Sequence, residues 1–179
     1  MLAAIKSSFL VGDILESLFT SEITVLGIGN TILSDEGFGV RVVEFLQKNY
    51  IFPENVQLID GGTLGVELTH FIVGTQKLLI VDSIDGGAEP GTTFHLRDGE
   101  IFKHFTQKIS AHEIGVQDIL TTLEITGKKI PAVELIGAQP FSLDAGLELT
   151  PPMQKLLPVF AEKALEILRR WNVKISHRK

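Results

Sequence analysis

The chain has 179 residues, of which 44% are hydrophobic and 21% charged, with a formal net charge of −6 and no cysteine. That length suits one well-buried domain rather than two, and the acidic balance argues against a general nucleic-acid binder, whose affinity rests on Lys and Arg neutralising phosphates. The lack of cysteine removes disulfides, thiolate metal sites and a cysteine nucleophile together, and fits the reducing cytoplasm.

In residues 1–22 the longest apolar run is Phe9-Leu10-Val11. It is too short to span a bilayer or to form a signal-peptide core, so no membrane insertion is expected. The segment reads as an added N-terminal helix or arm. Ile23 to Gly29 is an apolar run closed by glycines, the pattern of a central buried strand. A helix should follow, with Ser34 as its N-cap and Asp35 and Glu36 in its first turn, where the helix dipole favours negative charge. Phe38, Val42, Phe45 and Leu46 give it one apolar face, which fades near Tyr50 and Pro53.

Val56 to Asp60 reads as the second strand, Gly61-Gly62 as a turn, and Thr63 as the cap of a helix running to about Val73. Leu78 to Val81 is a buried strand ending on Asp82, and a glycine-rich loop follows from Asp85 to Gly91. Thr92 to Leu96 alternates as an antiparallel edge strand would. Ser110-Ala111-His112-Glu113 has the S-x-x-E capping-box spacing, and Val116, Ile119, Leu120 and Leu123 supply the buried face of the helix it opens. Ala132 to Gly137 is the last strand. Thr150-Pro151 caps a final helix with proline at its first position, and its buried face runs through Leu157, Phe160, Ala161, Ala164, Leu168 and Trp171. Pro158 should kink or split that helix. The basic tail after Asn172 is expected to be mobile.

Strands alternating with helices in short steps predict a three-layer α/β domain over residues 23–171, with a mostly parallel, twisted five-stranded sheet covered by helices on both faces. Residues 1–22 form an extension, and residues 172–179 a basic tail.

In open α/β sheets ligands bind outside the carboxyl ends of the strands. Three groups fall there: Glu36 after the first strand, Asp82 ending the third, and His112 at a later helix start. Two carboxylates and one imidazole suit a first-row divalent metal and leave coordination positions open. Each also has a plain structural reading: a helix-dipole acid, a strand-end acid that holds a turn, and a solvent-facing first-turn histidine. Glu113 belongs to the capping box, and His70, His95, His104 and His177 have no comparable neighbours. Asp60 borders the same strand ends, with Gly61 and Gly62 beside it as a second candidate patch for substrate.

Other chemistries lack their signatures. No G-x-S-x-G elbow or Walker A sequence occurs. His112-Glu113 begins like H-E-x-x-H, but position 116 is valine. Gly27-x-Gly29 starts a dinucleotide fingerprint in which Ile32 stands where the third glycine should be, and Asp35 and Glu36 would repel a phosphate at the helix start.

Taken together, Gly27-Ile28-Gly29-Asn30, Asp35-Glu36-Gly37-Phe38-Gly39-Val40-Arg41, Asp60-Gly61-Gly62-Thr63, Val81-Asp82 and Ser110-Ala111-His112-Glu113-Ile114-Gly115 resemble the hydrogenase maturation endopeptidases. The likeness runs from about Ile23 to Trp171 and leaves residues 1–22 outside. The resemblance implies a peptidase that removes a short C-terminal extension from the large-subunit precursor of a nickel-iron hydrogenase once nickel has been inserted. It also implies that Glu36, Asp82 and His112 bind the metal, with nickel as the recognition signal and other divalent metals substituting in vitro. Glu36, Asp82 and His112 are also the expected catalytic residues, with either a metal-activated water or Asp82 or Glu36 as general base in an aspartyl-type mechanism, and a monomer is expected. A non-catalytic nickel-docking or delivery protein and a Rossmann-like nucleotide module are the competing readings.

Overall fold

Alternation of side chains along each strand sorts the core of this protein into two layers, one on either side of a sheet. In the computed structural model, residues 21–106 and 114–178 are described. Seven strands are described: β1 (Ile23–Ile28), β2 (Tyr50–Ile51), β3 (Val56–Gly62), β4 (Lys77–Ser83), β5 (Thr93–Arg97), β6 (Ala132–Ala138) and β7 (Ser176–His177). Five of them form the main sheet in the order β3-β1-β4-β6-β5. The pairs β1–β3, β1–β4 and β4–β6 are parallel, and β5 closes the edge antiparallel to β6. The expected five-stranded, mostly parallel sheet with an antiparallel edge is therefore present.

Val25, Leu79, Val81 and Ile136 point to one face. There they pack under α1 (Phe38–Asn49) and the long helix Pro151–Arg170. Phe38 and Phe160, both fully buried, meet edge to face at 5.0 Å between ring centroids, joining the two helices. Leu26, Leu78, Ile80 and Leu135 point to the opposite face, against Leu68, Ile101, Val116, Ile119 and Leu123. These come from α2 (Thr69–Ile72) with the 3-10 turn Gly65–Leu68 before it, α3 (Gly99–Thr106) and α4 (Ile114–Ile125). The helix Pro151–Arg170 is α5. Thr150 caps it by accepting the Met153 N–H, as the Thr-Pro pair foretold.

Four local expectations change. Ser34 does not cap a helix; Ser34–Gly37 is a separate 3-10 turn before α1, and the Ser34 hydroxyl donates instead to the Asp144 carbonyl. Thr63 caps nothing, because Gly65 sits at φ 58° and interrupts the helical backbone that the apolar pattern suggested. Pro158 does not split α5, which continues through it with buried Met153 and Phe160 anchoring either side. The basic tail folds back: β7 pairs antiparallel with β2, the His177 ring lies 4.6 Å from that of Tyr50, and Val173 is buried. Two-residue strands carry too little periodicity to be read from a sequence.

No helix among the described residues is long and apolar enough to cross a membrane.

Candidate active site

The strand order places the topological switch between β1 and β4, since the chain leaves β1 toward β3 on one side and β4 toward β6 on the other. At that point, outside the carboxyl ends of both strands, lies a cavity of about 520 Å³. Glu36 reaches it from the 3-10 turn after β1, and Asp82 from the end of β4. Two of the three residues singled out in the sequence therefore share one cavity. The third, His112, lies outside the described residues, as does the Ser110–Glu113 capping box.

Close backbone packing sets the position of the Glu36 turn. Gly29 has φ 136°, and a Cβ there would overlap the Glu36 carbonyl oxygen and lie 2.9 Å from its carbon. Gly39, in the first turn of α1, packs directly on the Ile28 and Val81 carbonyls, where a side chain would collide with both strands. The helix start is thereby held against the ends of β1 and β4 together. Asp82 is buried, and its Oδ1 accepts the Ser83 N–H at 2.8 Å. Ser83 also lines the cavity, with its hydroxyl buried and without a hydrogen-bond partner among the described residues.

The second candidate patch divides. The β1–β3 register slips after the Gly27–Asp60 pair, so that Ile28 faces Gly62 and Gly61 is the extra residue of a bulge. Gly62 thereby lines the cavity, whereas Asp60 and Gly61 are not among its lining residues. Asp60 is exposed, and its Oδ1 accepts the Gly62 N–H at 3.0 Å, bracing the turn.

Two further carboxylates line the cavity, Asp85 and Asp118, and none of the lining residues among the described ones is basic. Asp85 comes from the glycine-rich loop and Asp118 from α4, beside buried Val116 and Ile119. Sequence reading passed over Asp118, although an acid inside the apolar stretch Val116–Leu120 was a visible signal. A wall of carboxylates favours a cation and disfavours phosphate, against the nucleotide-binding alternative. Glu36 and Asp82 bring carboxylates from two elements to one cavity, and among the described residues no group of three or more acidic or histidine side chains is gathered closely enough to hold a metal ion by itself.

Two loops flank this cavity, each anchored by a side chain whose long-range role no local pattern in the sequence announces. Gln139, buried at the end of β6, accepts the Gly86 and Ala88 N–H groups and donates to Asp85 Oδ1 at 2.8 Å. Asp35, fully buried, accepts the N–H groups of Phe141, Ser142 and Thr150 and the Thr150 hydroxyl. Its first-turn dipole role was the sequence expectation; in the structure it is a tether between distant segments.

A mostly parallel sheet with an acid-lined cavity at its switch point, built on these motifs, fits a peptidase of the hydrogenase maturation class. The chain belongs to that family: the hydrogenase maturation protease family model matches residues 40–167. The hydrogenase expression/formation protein HupD of Rhizobium leguminosarum bv. viciae is 42% identical over 159 residues, covering 87% of this chain and 78% of the relative. The hydrogenase 2 maturation protease of Escherichia coli (strain K12) is 41% identical over 152 residues, covering 84% and 93% respectively. The solved structure of the hydrogenase maturating endopeptidase HybD from E. coli superposes with a TM-score of 0.83 at 39% identity, covering 88% of this chain and 98% of that one. This protein is accordingly a peptidase with the fold of that enzyme.

Proposed function

We propose that this enzyme removes a C-terminal extension from the nickel-loaded large-subunit precursor of a nickel-iron hydrogenase, completing its maturation. The observation that carries the reading is the meeting of Glu36 and Asp82 in one acid-lined cavity at the switch point of a maturation-protease fold. Glu36, Asp82 and His112 are the ligands for the metal, and that metal is the nickel of the substrate. A three-ligand protein site leaves positions for groups of the precursor, as gripping a metal already held by another chain requires. Bound there, a metal ion supplies polarisation of a carbonyl and acidification of water. Free nickel should therefore bind weakly, and other divalent ions should substitute in vitro. Tight sub-micromolar nickel binding in calorimetry of the protein alone would contradict this.

The hydrolysis itself is aspartyl-type. One of the two carboxylates takes a proton from a water molecule, whose oxygen attacks the scissile carbonyl carbon. The C–N bond then breaks, and the proton passes to the leaving amine. The absence of cysteine suits a reducing cytoplasm, and nothing in this scheme requires more than a monomer. The test is incubation of the purified protein with precursor carrying nickel and with precursor lacking it, followed by mass spectrometry. Loss of a C-terminal peptide from the loaded form alone is the expected result; an unchanged mass in both would overturn the reading.

A further inference from the structure

The turn that carries Glu36 is stitched along its length to the loop between β6 and α5. The Gly146 N–H donates to the Ile32 carbonyl at 3.0 Å, and the Ser34 N–H to the Gly146 carbonyl at 2.8 Å. The Ser34 hydroxyl donates to the Asp144 carbonyl at 2.8 Å, and Arg41 Nη2 to the Leu147 carbonyl at 3.0 Å. Ser34 adopts φ 47°, a conformation that side-chain-bearing residues rarely take, and these bonds hold it there. At the centre is Asp35. Its Oδ2 accepts the N–H groups of Phe141 at 2.9 Å and Ser142 at 3.2 Å and the Thr150 hydroxyl at 2.9 Å, while Oδ1 accepts the Thr150 N–H at 2.7 Å.

A fully buried carboxylate is costly unless donors surround it. Here four donors do so, and all belong to the one loop and the helix cap that ends it. The loop gives Pro140 and Leu143 to the cavity wall and leaves Phe141, Leu143 and Leu147 substantially exposed. Glu36 itself is held by other means, through its N–H on the Leu33 carbonyl at 3.1 Å and the tight packing of Gly29.

We propose that Asp35 is a positioning residue for substrate: it fixes the Phe141–Leu149 loop as a preformed lip beside the Glu36 turn, on whose exposed Phe141, Leu143 and Leu147 the precursor segment next to the scissile bond is seated. This rests on the maturation-peptidase reading of the cavity and adds to it the element that binds the chain to be cut. A pre-ordered lip spares the enzyme the entropy of ordering a loop when substrate arrives.

The test uses Asp35→Asn, Thr150→Val and Thr150→Ser in the full chain, each confirmed folded by circular dichroism. Asp35→Asn should raise KM for nickel-loaded precursor about tenfold with kcat changed less than about twofold, the signature of lost binding rather than lost chemistry. Thr150→Val should move KM the same way by less, and Thr150→Ser, which keeps the hydroxyl, should restore it. A residue that merely supports the fold would lower the active fraction and the apparent kcat with KM unmoved. Independently of activity, the amides of Phe141, Ser142 and Thr150 should exchange at least about tenfold faster in Asp35→Asn, while those of β1 and β4 stay protected. Unchanged KM in Asp35→Asn, or a fall in kcat alone, overturns the proposal, as does unchanged exchange at those three amides. Should Asp35→Asn fail to fold, equal KM values for the two Thr150 variants overturn it. A wild-type protein that leaves the precursor whole would overturn the functional reading instead, with the exchange data still judging the clamp.

Discussion

Replacing Gly29 by alanine tests whether the glycine after β1 positions Glu36. At φ 136° an alanine occupies backbone space that L-residues rarely enter, at a cost of about 1–3 kcal/mol. Its Cβ would also overlap the Glu36 carbonyl oxygen and lie 2.9 Å from the carbonyl carbon, so the turn must shift before ordinary contact is regained. Overpacking of this kind costs about 1–3 kcal/mol more. The combined loss should thus be about 2–6 kcal/mol, and at about 2–4 °C per kcal/mol for a chain of this size Tm should fall by about 4–24 °C. Urea denaturation at neutral pH measures the change, with a lower midpoint and an unaltered slope as the expected form. Because the displaced atom belongs to Glu36, processing of nickel-loaded precursor should fall further than the folded fraction accounts for. An alanine variant with wild-type stability and wild-type processing would refute the argument that backbone crowding sets this carboxylate.

Further predictions concern the core, a buried acid and a loop anchor. Phe160→Ala empties a fully buried site against Phe38 and should cost about 3–5 kcal/mol in chemical denaturation; a loss below about 1 kcal/mol would mean that the two helices repack freely. Burial raises the pKa of Glu134, but hydrogen bonds from His95 and Arg170 and the charges of Arg170 and Arg97 outweigh it and hold the carboxyl below the ordinary value of 4.5. A group with a lowered folded-state pKa contributes stability that is present above its unfolded pKa and disappears as pH falls through the folded one. The stability gap between wild type and Glu134→Gln should accordingly be full above about pH 5 and shrink in acid, and a gap independent of pH would contradict this. Gln139→Ala leaves the Gly86 and Ala88 N–H groups without their side-chain acceptor, so amide exchange in that loop should accelerate while β6 stays protected.

What could be read from the sequence followed the range of the interactions involved. The β1 run with its glycines, the apolar strand ending on Asp82 and the Thr150-Pro151 cap are local signals, and each appears where it was expected. Strand-end position alone brought Glu36 and Asp82 into one cavity. Asp35 does stand in a first turn as expected, but its tether was missed because its donors lie 106 to 115 residues away, and no local pattern announces a link of that length. Gln139 and Glu134 escaped for the same reason, their partners being loop amides and side chains on other elements. Ser34 shows the converse error: a residue type suited to capping was captured by the loop folded against it. The tail strand rests on two residues whose pairing depends on Tyr50 and Ile51, far back in the chain.

The central claim is that Glu36 and Asp82, set at the ends of neighbouring strands, form one metal-gripping site with His112. Glu36→Gln, Asp82→Asn and His112→Ala proteins, incubated with nickel-loaded precursor and followed by mass spectrometry, test it most directly. Each variant should fold and leave the precursor at full mass while the wild type shortens it. Normal processing by all three would contradict the account.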